Sequence, residues 1–133
     1  MQPEDMTPFD REQVRALHEK MGFDYRMPDL ESPLFLVKQV VRDERGRVIA
    51  ACGLRLQAET YLWLDTQLPI EVRCKVVRDL ARSVVSEAWR AGLDCLVAWL
   101  PPGLPATFRN FLTKRLGWQP VRKGWESWTL PVE

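Results

Sequence analysis

The chain has 133 residues, 46% of them hydrophobic and 28% charged, with a formal net charge of +1 at pH 7. That length suits one domain with a core of ordinary size. The near-neutral charge argues against a nucleic-acid partner and against an electrostatic hold on a membrane surface, and no run approaches the roughly 18 apolar residues of a membrane span.

The opening Met1-Gln2-Pro3-Glu4-Asp5 has neither the basic nor the apolar stretch of a secretion signal, so a cytoplasmic protein is expected. Thr7, Pro8 and Asp10 mark a helix entrance, with Thr7 as cap and Pro8 in the first helical position. Val14, Leu17 and Met21 follow at helical spacing, and Gly22 is a natural stop. Phe23 to Pro33 reads as a loop or a short second helix. A strand meander comes next. Leu34 to Val41 is rich in β-formers, Asp43-Glu44-Arg45-Gly46 is a hairpin turn, and Arg47 to Leu56 returns antiparallel. Gly53 inside the returning strand points to a bulge or a close backbone approach. Ala58-Glu59 reads as a turn and Thr60 to Asp65 as a third strand.

Pro69 or Ile70 opens the longest helix, which runs to about Ala91 and stops at Gly92. Its expected buried stripe is Val77, Leu80, Ala81, Val84, Val85 and Ala88, with Lys75, Arg78 and Arg82 along another side. Asp94 to Leu100 reads as a buried strand, Ala106 to Leu116 as a helix ending at Gly117, and Trp125 to Leu130 as a final strand. The order predicts a single compact α/β or α+β domain. Cys52, Cys74 and Cys95 are odd in number and lack metal-ligand spacing, so they are expected as reduced core residues, with no metal site. Trp63, Trp89 and Trp99 sit in apolar runs and are expected in the core, with Trp118, Trp125 and Trp128 clustered late. The single histidine, His18, has no second histidine to form a metal cluster and reads as a helix-surface or boundary residue.

This order, over residues 6 to 130, resembles the GNAT superfamily of acyl-CoA-dependent N-acetyltransferases, which implies a mixed, mostly antiparallel sheet flanked by helices. Met6-Thr7-Pro8 before an amphipathic helix looks like the family's opening. The stretch from Arg42 to Gly53 is similar to its hairpin, an acidic turn followed by a strand closing on Gly. Leu116-Gly117-Trp118 is similar to its late Leu-Gly-Phe signature. The resemblance implies that acetyl-CoA or another acyl-CoA is the cofactor and that a small-molecule or peptide amine is the acceptor. It further implies that the phosphates meet the entrance of the long helix, at Arg73, Cys74, Lys75, Val76, Val77 and Arg78, mostly through backbone groups.

Three positions depart from that pattern. Val76 and Arg78 stand where the family has small residues, so close backbone approach is impaired and the side chains of Lys75, Arg78 and Arg82 become the alternative phosphate ligands. Thr113 stands where many members place a tyrosine acid. The segment before the first helix is too short and too polar for a full first strand. That strand is expected short or missing, leaving a sheet edge that a second copy of the chain could cover. Glu59 and Asp65 are the candidate general bases, each with a blander reading as a turn residue or surface charge. Two functions remain open at this point: an N-acetyltransferase, and a catalytically inactive GNAT-like binding or assembly module. A nucleic-acid surface at Arg122, Lys123, Trp125 and Trp128 is the least favoured.

Overall fold

In the computed structural model, which describes residues 1–132, the chain begins with a two-residue strand, β1 (Glu4–Asp5). The first strand is thus short but present. It pairs antiparallel with β2 (Phe35–Arg42), Glu4 opposite Val40 and Asp5 opposite Gln39, and the Met6 N–H extends the ladder to the Lys38 carbonyl at 3.0 Å. The helix entrance is tighter than expected. Pro8–Asp10 form a 3-10 turn, and α1 occupies Arg11–Met21. Gly22 closes it, donating its N–H to the Glu19 carbonyl at 3.1 Å. Residues 23–34 form no second helix.

β2 turns at Asp43–Gly46 and returns as β3 (Val48–Arg55). Gly46 sits at φ 77°, a conformation open to glycine at little cost, and its N–H reaches the Asp43 carbonyl at 2.9 Å. The register shifts twice, between Phe35 and Val37 on β2 and between Val41 and Arg42, where Ala50 and Val48 are the partners on β3. Each shift is the extra-residue geometry of a bulge and adds local twist. Gly53 shows the close approach its position suggested: a Cβ there would lie 2.8 Å from Cε1 of Phe35.

The described chain gathers into two units, Met1–Thr60 with Glu87–Val97, and Tyr61–Ser86 with Ala98 onward. In the first unit the core is built from Leu34, Val40 and Val48, joined by the buried carboxylate of Asp10. α1 lies against β3, with Gln13 Oε1 accepting the Val48 N–H at 2.9 Å. The same unit holds a second sheet, a parallel pair of β4 (Ala58–Glu59) and β5 (Leu96–Val97), in which Ala58 faces Leu96 and Glu59 faces Val97. In the second unit lie most of α2 (Ile70–Arg90) and all of α3 (Ala106–Arg115), with Val77 and Leu112 as its buried apolar residues. None of the helices described is long and apolar enough to cross a membrane.

One turn and three strand expectations are corrected. Ala58-Glu59 is a strand rather than a turn, and the expected strand at Thr60 to Asp65 pairs only at its first residue, where the Thr60 N–H meets the Val97 carbonyl at 2.7 Å. β5 ends at Val97, so the residues after Thr60 have no ladder to join; the expected strand from Asp94 to Leu100 shrinks to Leu96–Val97 for the same reason. Trp125 to Leu130 alternates without a neighbouring strand, and its side chains meet local partners instead. Arg122 lies 5.4 Å over the Trp125 ring, and the Trp128 Nε1–H donates to Glu126 Oε2 at 3.1 Å.

Burial is corrected too. Of the apolar stripe expected on α2 only Val77 is buried, while Leu80, Val84 and Val85 are exposed. Helical spacing decides which residues share a face, but not whether another surface covers it. Trp63, Trp89 and Trp99 are exposed rather than core, Trp63 stacking on Tyr61 at 5.9 Å and 14°. The cysteines are free thiols but not core residues: Cys52 and Cys95 are exposed and Cys74 is half-buried.

Two tests follow from this packing. Gly53→Ala forces the Phe35 ring to move and is expected to lower stability by about 1–3 kcal/mol, read from urea unfolding, with Phe35→Leu in the same chain recovering part of the loss. The second concerns acid. The Thr7 N–H, first, and then the Arg42 guanidinium hold the Asp10 carboxyl below its usual range. The folded state therefore binds this proton at lower pH than the unfolded state does. The stabilisation is complete above the unfolded value and drains away as pH falls through the lowered folded one. Thermal midpoints measured from pH 7 down to about pH 3 should fall for the natural chain, and Asp10→Asn should start lower and fall less steeply.

Candidate functional site

The entrance of α2 is assembled from a turn, a proline and a helix start. Asp65 makes the turn: its Oδ1 accepts the Gln67 N–H at 2.9 Å and its carbonyl accepts the Leu68 N–H at 3.4 Å. This is the Asx-turn chemistry that favours aspartate before a helix. Pro69 follows, and its carbonyl takes the first helical hydrogen bond, from the Arg73 N–H at 3.0 Å. The first-turn N–H groups of Ile70, Glu71 and Val72 therefore have no carbonyl one turn back within the helix. They are the positive end of the helix dipole, and Glu71 places a negative charge within that same turn.

Arg73 to Arg78 accordingly lie inside the helix rather than on a loop in front of it. Their N–H groups belong to the helical ladder, which leaves them no donor for a phosphate. The backbone contact expected of these residues is thus replaced by what their side chains offer. Val77 is buried, Arg73, Cys74 and Val76 are half-buried, and Lys75 and Arg78 are exposed. Lys75 Nζ pairs with Asp79 Oδ2 at 2.5 Å. Lys75 above all, then the charges of Arg78 and Arg82, hold the Asp79 carboxyl below the usual range. The cationic side of α2 is therefore partly neutralised by its own aspartate. Arg73 differs: its Nε is buried and makes no hydrogen bond. A guanidinium N–H shut away from water without an acceptor is an unfavourable arrangement that an anionic ligand could relieve.

The candidate bases are placed as follows. Glu59 is exposed in β4, in the first unit, and Asp65 is in the second unit together with Arg73 to Arg78. The Asp65 carboxylate is engaged by its own turn, which fits the turn-residue reading better than that of a base. The Thr113 hydroxyl donates to the Arg109 and Asn110 carbonyls at 3.1 and 3.3 Å, so it is tied to its own helix. Two shallow hollows, of about 330 Å³ at the tip of the β2–β3 hairpin and about 300 Å³ beside the start of α1, are lined by none of Glu59, Asp65 and Arg73 to Arg78. Among the described residues no group of three or more His, Cys, Asp or Glu side chains is placed to hold a metal ion.

His18 has a definite structural setting that its place on a helix surface did not suggest. Its Nε2 lies 3.0 Å from the Tyr25 carbonyl, and its ring meets Tyr25 edge-on at 5.0 Å. Tyr25 in turn stacks on Phe23 at 5.3 Å. The aromatic residues just past Gly22 were the available signal, since a left-handed stop folds the chain back over the last helical turn.

Comparisons with protein families, with curated proteins and with solved structures find no match for this chain.

The position of the helix start makes one expectation definite. Val76→Gly with Arg78→Gly would recreate the small residues of the resembled family, but in mid-helix. The double variant should lose about 1–2 kcal/mol of stability and gain no affinity for CoA, as urea unfolding and calorimetric titration would report. Tighter CoA binding would show instead that this stretch can leave the helix.

Proposed function

We propose that the chain is a cytoplasmic acyl-CoA-dependent N-acyltransferase of divergent GNAT type, in which side chains replace the backbone grip on the cofactor's phosphates. The observation that carries this reading is the buried, unpaired Nε of Arg73, one turn into a 21-residue helix whose first N–H groups are open. An anion placed there meets a guanidinium and the positive end of the helix together. The order of helix, antiparallel hairpin, long helix, strand and helix is the part of the expected order that supports this reading, without the third meander strand and the final strand. The acceptor would be an amine of a small molecule or peptide, and a second copy of the chain could add itself to an edge of the β1–β2–β3 sheet.

A second reading, an inactive GNAT-like binding or assembly module, is favoured by two further observations. The six expected cofactor residues are helical, and the Thr113 hydroxyl is bound to its own helix. A group held in that way cannot reprotonate a departing thiolate.

Calorimetric titration with acetyl-CoA and with CoA separates these readings. The acyltransferase reading expects micromolar-range binding to the natural chain, a loss of at least tenfold in Arg73→Gln, and acetylation of at least one amine in an acceptor screen. Binding without transfer would favour the inactive module. Absence of binding at millimolar CoA would overturn the acyl-CoA reading altogether.

A further inference from the structure

The loop between α1 and β2 borders an open hollow of about 300 Å³ beside the start of α1. Its apolar walls are Met6, Pro8 and Leu30, and its charged groups are Arg11, Glu31 and Lys38. The bordering loop is a turn that fastens itself. Asp29 Oδ1 accepts the Glu31 N–H at 3.0 Å, the Asp29 carbonyl accepts the Ser32 N–H at 3.1 Å, and the Ser32 carbonyl accepts the Phe35 N–H at 3.1 Å. Leu30 and Glu31 are held beside the hollow by these bonds rather than by burial.

Two ties cross from this turn to the rest of the site. Arg11 Nη2 meets Glu31 Oε1 at 2.7 Å, and Lys38 Nζ donates to the Leu30 carbonyl at 2.6 Å. Among the described residues these are the side-chain bonds of both cations. A guanidinium has five N–H donors and an ammonium three, so both keep donors in reserve. The Glu31 side chain is 65% exposed, and an ion pair so open to water is weak and readily exchanged. Asp10, the nearby buried acid, is committed to Thr7 and Arg42 and does not compete. The hollow thus presents two cations and apolar walls, and its only carboxylate is on a side chain free to swing away.

We propose that this hollow binds a small aliphatic carboxylate, whose head takes the place of the Glu31 carboxylate on Arg11 and whose hydrocarbon part lies against Met6, Pro8 and Leu30. In the ligand-free chain Glu31 fills the position of the ligand head and so acts as a built-in competitor. The planar fork of Arg11 matches a carboxylate in two-point geometry, and Lys38 adds a point charge. The few apolar side chains that line the hollow suit a short hydrocarbon chain. The site shares no residue with Arg73 to Arg78, so it stands or falls independently of acyl-CoA binding.

Butyrate and butyramide are the matched probes, titrated into the full chain and followed by backbone amide NMR shifts at Arg11, Leu30 and Lys38. Butyrate is expected to shift these signals saturably and butyramide to leave them in place. Glu31→Gln, on an exposed side chain, should keep the fold and bind butyrate several-fold more tightly, because the competitor has lost its charge. Arg11→Gln should lose binding. Equal responses to the acid and the amide would overturn the proposal, as would a Glu31→Gln chain that binds no better than the natural one. Should Arg11→Gln fail to fold, the acid–amide comparison and Glu31→Gln still decide.

Discussion

A carboxylate only 2% exposed to solvent is tolerable only when its charge is matched and its oxygens are hydrogen-bonded, and in the first unit Asp10 meets both conditions. One oxygen takes the Thr7 N–H and hydroxyl, at 2.8 and 3.0 Å, and the other takes the Arg42 guanidinium at 2.6 Å. Arg42 also reaches Glu4 Oε1 at 2.5 Å. These few bonds join four pieces of chain: the two-residue strand β1, the 3-10 turn, the start of α1 and the far end of β2. β1 is too short to persist by strand pairing alone, and Arg42 is what pins it. Removing Arg42 would leave the buried Asp10 charge without its cation, a more severe change than losing the contact itself.

At the opposite functional pole the governing constraint is a count of residues. An anion site at a helix start depends on which N–H groups precede the first helical hydrogen bond. Here Pro69 supplies the first acceptor carbonyl, so the open donors are at Ile70 to Val72. The stretch singled out by its resemblance to a phosphate cradle begins where those donors end. The same three-residue offset explains why Val76 and Arg78 are well suited to their positions: both are ordinary helix-interior residues, where glycine would weaken the helix.

The elements legible in the sequence were those set by local chemistry. The Thr7–Asp10 entrance, the Gly22 stop, the Asp43–Gly46 turn, the span of α2 and the end of α3 near Gly117 all depend on residues within one turn of each other. The strands at Thr60 to Asp65 and Trp125 to Leu130 were misread because a strand exists only through its neighbour. Alternation in Trp125-Glu126-Ser127-Trp128 carries no information about whether a partner lies alongside. The exposure of Leu80, Val84 and Trp89 was illegible for a related reason, since spacing defines a face and only tertiary structure covers it. Arg42 as the partner of Asp10, 32 residues away, had no local signal at all. At the candidate site, the cationic residues of α2 were evident from the sequence, whereas the unpaired Arg73 Nε and the capture of Lys75 by Asp79 are facts of side-chain packing.

The parallel pair β4–β5 bears on the order in which the first unit can be assembled. The β2–β3 hairpin needs only the short Asp43–Gly46 turn to form, whereas α1 meets β3 only after the chain has run on to Val48. β4 must wait for a strand on the far side of α2, so its closure confines a long intervening stretch of chain before any hydrogen bond repays it. Two residue pairs, the Thr60 bond and the Arg55–Asp94 ion pair are among the contacts that reward that closure. Loop length alone therefore favours the hairpin as the first piece to form, with the β4–β5 pair among those that close later. Exchange of the Thr60 amide with solvent deuterium would report that late-joining seam rather than the global unfolding of the chain.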